Sequence, residues 1–265
     1  MSGRGFGTAR SGLSPTSALG ALAAELLGTF AYVWIGTATV MSTASSFGPN
    51  ATLNTTAISV AFGFAVLAAV YVTAPLSGAH LNPAVTIALT VIRKFPVRWV
   101  APYIVAQMIG GLLAALANWG LFGDTARKNL LLGATVPGSG GAWPAFCAEI
   151  LLGLVLMITV MATAVEKGDA GPVPGGLGIG LVVGAGIFAM LPISGGSFNP
   201  ARTFGPMIVS GQFPGWGAYV AGPIGGAVIG ALLWQLLRRG RAPDAPDADE
   251  PADEAATSDL EGASR

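Results

Sequence analysis

The sequence predicts an all-α membrane protein of six transmembrane helices and two re-entrant half-helices, arranged as two inverted repeats. Three observations predict it. Of 265 residues, 52% are hydrophobic and only 10% are charged, whereas a soluble domain carries about 25% charged residues. Six apolar stretches reach the roughly 20 residues that a helix needs to cross a bilayer. The tripeptide Asn-Pro-Ala occurs twice, as Asn82-Pro83-Ala84 and Asn199-Pro200-Ala201, 117 residues apart (199 − 82). Each copy opens an apolar run too short to span.

The elements follow in order. Spans are expected at 18–41, 57–76 and 99–122 in the first half, and at 142–165, 173–193 and 215–237 in the second. The short runs are 82–92 and 199–210, each following a span with almost no polar linker. Interrupted apolar segments at matching places in two halves point to a transport site at an inverted repeat. Three spans per half is an odd number, so the second half enters the membrane from the opposite side. The implied organisation is a cytoplasmic N-terminal segment 1–17, a first repeat 18–122, an extracellular connection 123–141, a second repeat 142–238 and a tail 239–265.

Charge sets the orientation. Arg4, Arg10, Arg93, Lys94, Arg98, Lys167, Arg238, Arg239, Arg241 and Arg265 fall on one side, and Arg127 and Lys128 on the other. Both termini are therefore expected in the cytoplasm, in a plasma or inner membrane. The N-terminal segment lacks the apolar core of a cleavable signal. The tail, rich in Asp, Glu, Pro and Ala, is expected to be disordered. Glycine stripes at 176, 180 and 184 and at 222, 226 and 230, with Ala106, Gly110 and Ala114 in the first half, let helices approach closely in lipid.

Composition also excludes. A net charge of zero argues against a nucleic-acid partner. One cysteine, Cys147, and one histidine, His80, leave no disulfide framework, no metal centre and no nucleophile–base constellation for an enzyme. No cofactor is implied.

Chemistry concentrates at the two boxes. Asn is a strong N-cap and Pro suits the first helical position, so each Asn-Pro starts a helix. With inverted topology, Asn82 and Asn199 meet near the midplane and offer amide donors to what lies between them. The preceding loops, 77–81 and 194–198, are non-helical backbone at membrane depth, tolerated where it lines a wet cavity or is buried in protein. Carbonyls of Gly78, Ala79, His80, Gly195 and Ser197 would face the lumen. Arg202 follows the second box and reads as a pore-lining cation. Glu25 and Glu149 each stand alone in an apolar span. A proton relay is one reading; matching positions in the two halves favour acceptors that tie down the pore loops. His80 reads as a hydrogen-bonded loop histidine rather than a pH gate, and Cys147 as a packing residue.

These residues resemble the major intrinsic protein family, the aquaporins and their glycerol-conducting relatives. The resemblance covers about 18–237. Besides both boxes it rests on Glu25-Leu26-Leu27-Gly28-Thr29-Phe30, Glu149-Ile150-Leu151-Leu152-Gly153, Phe204-Gly205-Pro206 and Gly222-Pro223-Ile224-Gly225-Gly226. It implies one pore per subunit of a homotetramer embedded in the lipid bilayer. It also implies a filter at Phe62, Ile187, Gly196 and Arg202, with Ile187 removing a polar donor and Gly196 removing bulk. Thr203 stands where glycerol channels usually carry aspartate, and Tyr219-Val220 follows neither subgroup. The implied function is a passive channel for water, with urea, ammonia and hydrogen peroxide as further small neutral candidates. The alternatives are a glycerol facilitator of the same family and a non-conducting junction or scaffold protein. A coupled transporter would need more intramembrane charge than Glu25 and Glu149 supply.

Overall fold

The computed structural model describes residues 15–46, 51–165 and 175–239. All regular structure among them is helical. Helix α1 covers Pro15–Ser46, α2 Ala51–Ser77, α3 Pro83–Val91, α4 Val100–Asn129, α5 Ala142–Val160, α6 Gly175–Ser194, α7 Pro200–Ser210 and α8 Trp216–Arg238. A π-helical turn, Met161–Val165, prolongs α5. Six segments are long and apolar enough to cross a membrane. The nine residues of α3 and the eleven of α7 measure about 14 and 17 Å at 1.5 Å per residue. That is half of a hydrocarbon core of about 30 Å.

The spans run longer than hydropathy marks. Helix α1 continues through Ser42–Ser46 and α2 begins six residues before 57, because Ser and Thr hydroxyls bond back to carbonyls one turn earlier. Thr56 does so to Thr52 (2.9 Å) and Thr43 to Val40 (3.2 Å). The connection expected over 123–141 is partly helical. Gly123 breaks the geometry at φ 73°, yet the helix resumes to Asn129. The N-terminal segment before 15, most of the tail, and the start of the fifth span at 173–174 lie outside the described residues.

Both half-helices begin and end alike. Asn82 and Asn199 are extended residues whose side-chain oxygens accept from the N–H groups of Ala84 and Ala201, each at 2.8 Å. Helix α3 stops at Arg93, φ 62°, and α7 at Gly211, φ 75°. The following N–H returns to a carbonyl five residues back, Lys94 to Leu89 (2.8 Å) and Gln212 to Met207 (3.2 Å), a left-handed helix stop.

Packing crosses the repeat boundary. Helix α1 lies against α2 and α4, and α5 against α6 and α8, while α2 and α6 join the halves. Helix α7 seats against α4 of the first half, and α3 against α8 of the second. Small residues make this possible. A Cβ at Gly111 or Gly205 would overlap backbone of the other's helix, and one at Gly226 would overlap the Ile150 carbonyl. The stripe residues Gly110 and Gly180 meet Leu26 of α1 and Gly63 of α2 in the same way.

Candidate functional site

The loops entering α3 and α7 carry the site, and their backbone is unusual in the same way twice. Gly78, Ala79 and Leu81 have φ of 86°, 49° and 51°; Gly195, Gly196 and Phe198 have 78°, 63° and 61°. Non-glycine residues avoid this region, so Ala79, Leu81 and Phe198 need outside support.

Two buried carboxyl groups provide it. Glu25 accepts from the N–H of His80 (2.9 Å) and Leu81 (2.7 Å), and from the Gln107 amide (2.7 Å). Glu149 accepts from the N–H of Ser197 (2.8 Å) and Phe198 (2.8 Å), and from the Ser194 hydroxyl (2.8 Å). Two tyrosines complete the pattern. Tyr103 donates to the Ser77 carbonyl and Tyr219 to the Ser194 carbonyl, each at 2.9 Å. These carbonyls end α2 and α6, where Pro75 and Pro192 disturb the last turn.

The Asn side chains then cross-link the halves. Asn82 donates to the Phe198 carbonyl (2.9 Å), and Asn199 to the Leu81 carbonyl (2.8 Å). Asn199 also donates to the Tyr32 hydroxyl. A narrow cavity of about 50 Å³ runs past these groups. Its apolar wall includes Val66, Val70, Val85, Leu156, Val160 and Val183, and its polar wall Asn82, Asn199, Ser197, Tyr32 and Arg202.

The residues expected from sequence sort as follows. Phe62, Ile187 and Arg202 line the cavity, as do Ala79, His80 and Ser197. The Arg202 guanidinium lies 4.7 Å from the centre of the Phe62 ring. It donates through Nη1 to the Gly133 carbonyl (2.7 Å), and among the described residues its buried Nε has no hydrogen-bond partner. Gly196 sits behind the wall, where a Cβ would lie 2.9 Å from Ile187; the gap expected there is filled by Ile187. Gly78 and Gly195 turn the loops, while the cavity face adds Leu81 and Phe198. His80 bonds the Thr86 hydroxyl (3.1 Å), meets Phe95 edge-on and lies tilted against Tyr103. Cys147 is half-buried on α5, away from the cavity lining.

Three participants carry no sequence signal of their own. Tyr32 is one aromatic among many apolar residues of α1. Gly133 and Thr135 belong to the link between the halves, yet Gly133 holds Arg202 and Thr135 bonds Thr203 (2.7 Å), which bonds Ser197 (2.6 Å). The positive φ of Leu131, Leu132 and Gly133 shapes this link to reach inward.

Comparison with known proteins agrees with the geometry. The model of the family described as Major intrinsic protein matches residues 13–234. Aquaporin AqpM of Methanothermobacter thermautotrophicus is 41% identical over 239 residues, covering 81% of this chain and 95% of the relative. Aquaporin NIP1-3 of Oryza sativa subsp. japonica is 37% identical over 215 residues, covering 81% and 72%. The X-ray structure of the aquaglyceroporin from Plasmodium falciparum superposes with a TM-score of 0.75 at 22% identity, covering 84% of this chain and 98% of that one; at that identity it speaks for the fold. The chain is an integral multi-pass member of the major intrinsic protein family.

Proposed function

We propose that the chain is a passive channel for water that also admits small neutral solutes such as urea, ammonia and hydrogen peroxide. One observation carries the reading: two inward half-helix ends present Asn82 and Asn199 amides to one cavity that also holds the Arg202 guanidinium. Each helix start bears roughly half a positive charge. A neutral permeant accepts hydrogen bonds there, whereas a proton or metal cation meets positive potential from both halves and from Arg202. The valine-rich wall offers no competing partner, so bound solute is not retained.

Within this reading, Phe62, Ile187, Gly196 and Arg202 form the filter, with Gly196 acting through the position of Ile187. Carbonyls of 78–80 and of Gly195 and Ser197 supply acceptors along the path, and Glu25 and Glu149 keep the loops in shape. The domain boundaries are those read from the sequence. The family resemblance supports a homotetramer with one pore per subunit. The Lys and Arg asymmetry supports cytoplasmic termini in a plasma or inner membrane.

The test is stopped-flow permeability of proteoliposomes to water, glycerol and urea side by side. Water flux well above empty vesicles is expected, with glycerol slower than water. Vesicles that hold assembled protein yet match empty ones would overturn the reading in favour of a junction or scaffold role.

A further inference from the structure

The two pore loops are built alike but held differently. Four residues after each box asparagine stands a buried threonine, Thr86 in α3 and Thr203 in α7. Each hydroxyl bonds the residue two before that asparagine: Thr86 the His80 ring (3.1 Å), Thr203 the Ser197 hydroxyl (2.6 Å). Thr86 takes a further bond from Gln107 of α4 (3.0 Å). Tyr103 and Tyr219 occupy matching places in α4 and α8, 116 residues apart (219 − 103). The same offset puts Pro223 where Gln107 stands, and a proline side chain has no donor. The second threonine is served instead by Thr135 (2.7 Å), which comes from the segment joining α4 to α5.

Counting protons fixes the direction of these bonds. A hydroxyl donates once. Ser197 gives its proton to the Asn199 carbonyl (2.9 Å), so Thr203 donates to Ser197 and Thr135 donates to Thr203. The chain of hydroxyls therefore starts in the connecting segment and ends at the residue that caps α7. Two residues earlier in that segment, Gly133 accepts from Arg202 (2.7 Å). The segment thus grips the first turn of α7 at two adjacent residues, Arg202 through Gly133 and Thr203 through Thr135. Leu131, Leu132 and Gly133 have φ of 49°, 53° and 73°. Such a run is strained and keeps its shape only when anchored beyond it. Thr135 is that anchor: it is 2% exposed and closes over Gly195, where a Cβ would lie 3.1 Å from it.

We propose that Thr135 is a specificity-determining positioning residue of the pore. Its hydroxyl fixes the Gly133 carbonyl against Arg202 and holds Ser197 at the cavity wall. The connecting segment, and not the second repeat alone, then sets how well the filter rejects solutes larger than water. The first loop has no such dependence, because Gln107 belongs to a span. The proposal rests on reading the cavity as a channel.

Thr135→Val keeps the shape of the side chain and deletes the hydroxyl; Thr135→Ser keeps the hydroxyl. The ratio of urea to water permeability is measured in proteoliposomes by stopped flow, with the unfolding midpoint in detergent beside it. The valine variant should raise the ratio about two- to tenfold, the factor that one neutral hydrogen bond is worth, and the serine variant should restore the wild-type value. A purely structural hydroxyl leaves the ratio alone, whatever happens to the midpoint, and that result overturns the proposal. So does a serine variant that shifts the ratio as far as valine, since the hydroxyl is then not the cause. If the valine variant does not reach the bilayer, Thr203→Val removes the same bond from the helix side and carries the same expectation. Where the wild type passes water but no urea, measurable urea flux in the variant is the expected result and its absence the overturning one. A wild type that passes no water overturns the channel reading and this proposal with it.

Discussion

Asn82 and Asn199 each donate to the carbonyl that immediately precedes the other: Asn82 to Phe198 at 2.9 Å, Asn199 to Leu81 at 2.8 Å. Each side chain also caps its own half-helix through its oxygen. One amide thus starts a helix and ties it to the opposite repeat. The two strained loops are held from outside by the carboxyl groups and from inside by each other. A change at either asparagine acts on both repeats.

Replacing Glu149 with Gln should destabilise the protein more than it alters selectivity. Both oxygens accept from N–H or O–H donors in the native site. A glutamine NH₂ would face another donor and leave it buried without a partner. The cost is about 3 kcal/mol, the upper range for losing a buried partner. Thermal unfolding in detergent should show a lowered midpoint, and Glu25→Gln should behave alike because its partners match. Unchanged midpoints for both would remove the loop-anchoring role.

Arg202→Val should open the filter to solutes, to cations or protons, or to both. The substitution removes the guanidinium beside Phe62 and the bond to Gly133. Urea flux, and dissipation of a pH or potassium gradient across liposomes, are the measurements. A folded variant with wild-type selectivity would show that Arg202 is not the filter cation.

Ile187→His should narrow the path toward water alone. Ile187 already fills the space beside Gly196, whose backbone leaves no room for further bulk, so the ring must turn into the cavity. Water flux should persist and urea flux fall by several-fold. Equal flux of every solute in variant and wild type, at equal protein density, would detach position 187 from the filter.

Mercurials should inhibit weakly. Cys147 is spaced by four residues from Trp143 and Leu151, both strongly exposed on the outer surface of the bundle, and it does not line the cavity. Strong inhibition that vanishes in Cys147→Ala would mean that the thiol controls the pore from outside it.

The sequence by itself determined the six spans, the two half-helices and their caps. Each follows from a local property: apolar length against bilayer thickness, or Asn-Pro at a helix start. It also singled out Glu25, Glu149 and Arg202, because an ionisable group in an apolar span stands out in the linear pattern. Tertiary structure decided what those residues meet. Packing α7 against α4 and α3 against α8 exchanges the half-helices between repeats, and small residues at the contacts leave the backbones free to approach. The roles of Tyr32, Gly133 and Thr135 depend on that exchange. A tyrosine among apolar residues and a glycine in a connection have no distinctive pattern along the chain. They become part of the site only when Asn199, Arg202 and Thr203 arrive beside them from the other half. The place of Ile187 in the gap beside Gly196 was decided in the same way, since it is a contact between residues of a helix and a loop that a linear motif does not describe.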